Sequence, residues 1–260
     1  MWMRESNPQI YTIYLMNEIF RPLNHVSPVG FINSIRFYSR IFFDFQVKTI
    51  YDSLKLFLRN KKGRILDLGC GDGPYEHLIN KKGEYIGADI NNSDKFNYMK
   101  KNILIINEYK IPLPDLSVDY IICTEVLEHI QEPLLSIKEM NRVLVNGGEL
   151  FLTVPWSARY HYIPHDYFRY SPSMLRKLFY GFSDCKIIPR GTDLLVIISK
   201  IMVIYLRNLI PRKFLGTINS MLALCVTPLI LLLVFIGYIV LYLNLGSDND
   251  PLGYTVIAKK

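Results

Sequence analysis

Apolar and polar positions along the chain change period twice. From Phe31 to Leu58, apolar residues recur near helical spacing at Ile35, Ile41, Phe42, Phe45, Ile50, Leu54 and Leu58. That pattern predicts a leading helical segment packed on the next domain, with residues 1–60 forming an N-terminal helical lid broken once around Pro22, Pro28 and Gly30. From Arg64 the pattern becomes short apolar runs separated by helical or turn segments. Strands are expected at Arg64–Leu68, Tyr85–Ala88, Ile103–Ile106, Val118–Cys123 and Glu149–Val154. Helices fit Tyr75–Ile79, Pro133–Leu144 and Ser173–Phe179. Pro133 suits a first helical turn, Ser171-Pro172 a helix start, and Gly147-Gly148 a turn into the next strand. Strands alternating with helices at this spacing predict a parallel sheet with helices on both faces.

A third pattern occupies the C-terminal part. Met221 to Leu243 is a run of 23 residues without a charge, long enough to cross a bilayer with some tilt. Upstream, Leu194 to Ile210 is apolar but carries Lys200 and Arg207. Gly253 to Lys260 reads as a final strand. The expected division is a sheet domain over residues 61–190 and 253–260, with an apolar helical insert over 191–252.

Composition sharpens this picture. Half of the 260 residues are apolar, and the mean hydropathy is +0.16. The excess is concentrated between Leu194 and Leu245. The net charge of +7 comes from basic residues scattered singly and in pairs, which favours an anionic lipid surface over nucleic acid as partner. The four cysteines, Cys70, Cys123, Cys185 and Cys225, have no CxxC spacing, so their pattern suggests neither a zinc site nor a disulfide framework. Met1–Arg4 is not followed by a clean apolar stretch with a cleavage site, so no signal peptide is expected.

The chemistry is concentrated after the first strand, at Ile65-Leu66-Asp67-Leu68-Gly69-Cys70-Gly71-Asp72-Gly73-Pro74-Tyr75. Alternate glycines let the backbone turn sharply and approach a ligand, at the sheet edge where ligands of open α/β folds sit. A dinucleotide fingerprint requires G-x-G-x-x-G. Here the third glycine is one position early and Asp67 precedes the loop, which repels a pyrophosphate and suits a cationic ligand. Asp89, 22 positions after Asp67, is placed to hold ribose hydroxyls.

These residues resemble the first motif of the class I S-adenosylmethionine-dependent methyltransferases. The likeness continues through Tyr85–Asp89, Ile111–Asp119, Thr124–Ile130 and Glu139–Trp156, and covers roughly residues 60–190 and the last seven. It implies a Rossmann-like seven-stranded α/β sheet with the apolar insert before its last strand, and S-adenosyl-L-methionine as cofactor. Carried over by position, Gly69, Gly71 and Gly73 would line the methionine and ribose part, Asp67 would lie beneath the amino group, and Asp89 would bind the ribose. Asn107 stands where an acidic residue often meets the adenine amine, with Glu108 as a substitute. Glu125 would border cofactor and acceptor.

Methyl transfer needs alignment above all, and a base only when the acceptor must lose a proton. His129 and His165 are the base candidates. His129 also fits a loop-bonding role at a helix entry, and His165-Asp166 also fits a structural role orienting Arg169. The aromatic run Pro155–Tyr170 suggests an acceptor pocket that uses Trp156, His161, Tyr167 and Arg169. The last strand must pair beside the one near Lys186–Ile188, so the insert either crosses a membrane twice or enters and leaves one leaflet near Pro228. Arg207, Arg212 and Lys213 favour the second arrangement, on the cytoplasmic face. A membrane-held methyltransferase acting on a glycan, a lipid-linked glycan or another amphipathic small molecule such as an isoprenoid quinone is the expected function. A membrane-bound binding or scaffold protein of the same fold is the alternative.

Overall fold

The computed structural model describes residues 25–90, 103–107, 109–209 and 221–260. The first part of the expected N-terminal lid, with Pro22, lies outside the described residues, as do Glu108, Ile210, Arg212 and Lys213. The helical stretch expected from Phe31 to Leu58 is two helices, α1 (Phe31–Phe43) and α2 (Phe45–Leu58). They divide at Asp44, which leaves the helical region (φ −119°, ψ 98°) and caps α2 by accepting from the amides of Gln46 and Val47 at 3.1 and 3.3 Å. An N-cap aspartate of this kind satisfies donors that the helix itself cannot.

Seven strands follow: β1 (Gly63–Leu68), β2 (Gly83–Ile90), β3 (Leu104–Ile106), β4 (Val118–Thr124), β5 (Leu144–Pro155), β6 (Asp184–Arg190) and β7 (Gly253–Lys259). They form one sheet in the order β3-β2-β1-β4-β5-β7-β6. The first five are mutually parallel, and β7 runs antiparallel between β5 and β6. The pairing of the C-terminal strand with the strand near Lys186 is thus as the sequence implies. Helix α3 (Pro133–Val143) and helix α4 (Pro172–Leu178) form close to their expected bounds, whereas the helix expected at Tyr75–Ile79 is a single 3-10 turn, Glu76–Leu78.

Alternation along the central strands builds the two faces of the core. Ile65, Ile122 and Phe151 point to α2 and meet Ile50, Leu54 and Leu58. Their neighbours Leu66, Leu68, Ile121, Cys123, Leu150 and Leu152 point the other way, onto Ile137 and Met140 of α3 and Leu175 of α4.

The apolar insert contains α5 (Asp193–Leu209) and α6 (Thr227–Leu243), each of 17 residues. They pack together and onto Phe45 at the start of α2, through Leu195, Ile198, Met202, Ile230 and Val234. The uncharged run from Met221 is therefore not one long helix. It breaks at Val226, because Pro228 occupies the first turn of α6 and offers no amide to extend the ladder backwards. At 1.5 Å per residue α6 is about 25 Å long, and among the described residues no helix is long and apolar enough to cross a membrane. The expectation of a transmembrane helix is corrected accordingly.

Candidate functional site

The carboxyl ends of β1 to β5 share one edge, and the loops that leave it bring most of the candidate site residues together. After β1 the chain turns through Gly69, Gly71 and Gly73, all at positive φ (71°, 49° and 64°). A side chain at any of them would be strained. At Gly69 a Cβ would also lie 2.4 Å from Val126, so the turn after β4 rests directly on the glycine loop. The loop is tied to β2 by the amides of Gly69 and Cys70, which donate to the carbonyl of Ala88 at 2.8 and 3.1 Å.

Two buried carboxylates flank this loop. Asp67 accepts from the Tyr85 hydroxyl at 2.8 Å, and that proton is held firmly, since burial and then the Asp67 charge push the phenol well above its ordinary range. Asp89 accepts from the amides of Gly71 and Ile90, both at 2.8 Å. Burial raises its pKa and these two amide bonds oppose the rise. Each Asp89 oxygen has a second lone pair for a ribose hydroxyl. With no Lys or Arg in the loop, the donor set fits a cationic sulfonium and amino group better than a pyrophosphate. Asn107 lies on the same edge just after β3, and its side chain accepts from the Tyr109 amide at 3.0 Å.

Glu125 directly follows β4 with a positive φ of 54°, a strained geometry for a residue with a Cβ. Three neighbours hold it there. Its amide donates to Thr153, Gln46 donates to one carboxylate oxygen at 3.0 Å, and Arg190 donates to the other at 2.8 Å. Arg190, at the end of β6, also reaches the Gln46 and Val154 carbonyls and the Thr49 hydroxyl, each at 3.3 Å. Gly253 of β7 makes room for it, because a Cβ there would sit 2.4 Å from the guanidinium and from the Val154 carbonyl. The sequence pattern does not single out Gln46 or Arg190, which lie outside every motif, and Tyr85 stands in the motif stretch Tyr85–Asp89 without its own role being marked.

The acceptor-side residues divide. His129 Nδ1 lies 2.6 Å from the His165 carbonyl, and its ring meets those of His161 and Tyr162 edge-on. Burial, then the charge of His161, lowers its pKa to about 4, so it is neutral near pH 7. His161 is brought beside it, 5.0 Å between ring centroids. The His165 ring turns elsewhere, with Nδ1 3.0 Å from the Tyr167 hydroxyl. Arg169 makes a two-pronged pair with buried Asp166 at 2.6 and 2.8 Å. Burial would raise the Asp166 pKa, but the Arg169 and His161 hydrogen bonds hold it well below the usual carboxylate range. Trp156 donates to Asp250 at 2.8 Å, linking the pocket loop to the end of the insert.

A seven-stranded sheet of this order, with a glycine loop between buried acids at its carboxyl edge, defines a nucleoside-binding α/β protein of the methyltransferase class. The methyltransferase domain family matches residues 43–183, and the chain belongs to it, within the class I S-adenosylmethionine-dependent methyltransferases. An uncharacterised protein of Methanocaldococcus jannaschii is 30% identical over 122 residues, covering 45% of this chain and 53% of that one. The ubiquinone/menaquinone biosynthesis C-methyltransferase UbiE of Shewanella sp. is 32% identical over 130 residues, covering 44% and 51%. The ubiquinone biosynthesis O-methyltransferase of Pelagibacter ubique is 29% identical over 146 residues, covering 52% and 56%. The chain spans about half the length of the curated relatives it matches. A SAM-dependent methyltransferase from Thermotoga maritima superimposes with a TM-score of 0.50 over 88% of this chain and 96% of that one, at 15% identity, a likeness of fold alone.

Proposed function

We propose that this protein transfers a methyl group from S-adenosylmethionine to an amphipathic small molecule at a lipid surface. The observation that carries the first half is the pair of buried acids, Asp67 and Asp89, on either side of three positive-φ glycines. When bound, the cofactor supplies an activated methyl group. The chain's own residues bind it, exclude water and orient the acceptor, with neutral His129 available to take a proton where the acceptor is a hydroxyl. Calorimetric titration of the detergent-purified chain with S-adenosylmethionine tests this. Asp89→Ala is expected to weaken binding by about 1.5–3 kcal/mol, the scale of a lost charged hydrogen bond. A well-folded wild type that binds no cofactor would favour the scaffold reading.

The lipid surface is supported by three exposed apolar stripes at helical spacing. On α1 they are Phe31, Ile35, Tyr38 and Phe42; on α5, Leu194, Ile197, Ile201 and Ile204; on α6, Leu229, Leu232, Ile236, Ile239 and Leu243. Each remains exposed among the described residues. The stripe on α1 abuts α6 where Phe42 stacks on Tyr238. Exposed Arg36, Lys200 and Arg207 lie among them, as anionic headgroups require. The helices lie in one leaflet of the cytoplasmic face in this reading. Two relatives, methyltransferases of ubiquinone biosynthesis, favour an isoprenoid quinone type of acceptor over a lipid-linked glycan. Flotation with phosphatidylglycerol vesicles checks the surface. The double variant Ile201→Asp/Ile236→Asp should cut the bound fraction at least tenfold, since each change removes roughly 1.5–3 kcal/mol of apolar burial. Equal flotation of variant and wild type would remove the lipid from the proposal.

A further inference from the structure

Beside the glycine loop, the turn after β4 and the aromatic loop after β5 create a constellation that cofactor binding does not use. Glu128 is fully buried, at 0% exposure, and neither of its carboxylate oxygens has a hydrogen-bond partner. Such a group loses its hydration with nothing in return, which is costly. Arg169 does not relieve it, being bound two-pronged to Asp166. What faces Glu128 instead is a pair of imidazoles. One carboxylate oxygen of Glu128 and one nitrogen from each of His129 and His161 lie within 4.8 Å of one another, with His129 Nε2 3.7 Å from Glu128 Oε1.

The outer contacts of both rings are those of ligands. His129 Nδ1 lies 2.6 Å from the His165 carbonyl, which accepts only, so Nδ1 carries the proton and Nε2 presents its lone pair. His161 Nδ1 lies 2.9 Å from both the Asp166 carboxylate and the Arg159 carbonyl, two acceptors that fix the ring through Nδ1. Imidazoles fixed through Nδ1–H to a carbonyl or carboxylate are the usual second layer of a metal centre. Asp166 is itself anchored by Arg169, and the Tyr167 amide donates to the Glu128 carbonyl at 2.8 Å, so the two loops are clamped together at this point.

We propose that Glu128, His129 and His161 bind a divalent first-row transition metal ion such as Mn2+ or Zn2+. Two nitrogens and one oxygen suit these ions, whereas Mg2+ and Ca2+ favour all-oxygen sets. Ligand atoms around a tetrahedral ion at bonds of about 2.1 Å stand roughly 3.4 Å apart, so closure from within 4.8 Å takes side-chain shifts of up to about 1.4 Å. Three protein ligands leave the ion open positions. A hydroxyl or carbonyl oxygen of the acceptor is what would fill them. With the ion bound, His129 serves as a ligand and not as a base.

The test uses the full chain, stripped with a chelator and titrated with MnCl2 or ZnCl2 alone, without S-adenosylmethionine or acceptor. Its outcome is therefore separate from that of the cofactor titration. Mn2+ binding is read from loss of the free-ion electron paramagnetic resonance signal, and Zn2+ binding by calorimetry. A single saturable site is expected. Glu128→Gln and His161→Ala should each weaken it by at least tenfold, and Asp166→Asn by about 10- to 100-fold through loss of the His161 orientation. His77→Ala, outside the cluster, should leave it unchanged. Should Glu128→Gln fail to fold, the half-buried His161 decides the matter by itself. No binding by folded wild type, or binding that His161→Ala does not alter, would overturn the proposal.

Discussion

Replacing Arg190 with methionine is expected to lower the unfolding free energy by about 3 kcal/mol, the lower end of the range for breaking a buried ion pair. The Arg190 side chain is 3% exposed and Glu125 24%, so water screens part of the charge left behind. Burial pulls the Arg190 pKa down and the Glu125 charge opposes that. The larger consequence is geometric. Glu125 holds a positive φ only because the strands and α2 fix it from three sides, and Arg190 is the contact that reaches all of them. Methionine fills the same volume but donates nothing, leaving the Glu125 carboxylate with Gln46 alone. A double-mutant cycle in urea separates the pair from its surroundings. Glu125→Gln should be costly in wild type and nearly neutral in the Arg190→Met background. Additive losses would mean that the two residues act independently and that Arg190 serves the β7 strand instead.

The sheet is legible in the sequence because its physics is local. Short apolar runs with glycine at their ends leave little choice but parallel strands, and the order of Asp67, the three glycines and Asp89 places both acids on one edge. Beyond such reading is the meeting of distant segments. Glu128 sits in a stretch marked by its position after the fourth strand, but its orphaned carboxylate becomes visible only when the loop bearing His161 folds over it, 33 residues later. Arg190 and Gln46 are likewise 144 residues apart, and no periodicity links them. His165 shows the converse: adjacent to Asp166 in sequence, it turns toward Tyr167, because Asp166 is already engaged by Arg169 and His161. The insert misleads for a third reason. Absence of charge measures hydrophobicity but not helix continuity, and one proline at Pro228 divides the apolar run.

Phe45→Ala should cost about 3–5 kcal/mol, the range for deleting a buried aromatic ring, and its effect should fall on two parts of the molecule at once. Phe45 is 1% exposed and opens α2, whose later residues Ile50, Leu54 and Leu58 belong to the sheet core. The ring itself belongs to the cluster formed by the insert. It lies against Gly237, where a Cβ would come within 2.4 Å of its edge, and edge-on to Tyr238 at 5.3 Å between centroids. The missing side chain at Gly237 is therefore the socket for Phe45, and this contact couples the insert to the catalytic sheet. Gly237→Leu should overfill the socket, costing about 1–3 kcal/mol. The Phe45→Ala/Gly237→Leu double variant should be more stable than the sum of the two losses implies, because leucine enters the space the ring leaves. Urea midpoints followed by far-ultraviolet circular dichroism measure all three. Strict additivity would show that the insert is held by its other contacts, and that the ring and the glycine meet without dependence on each other.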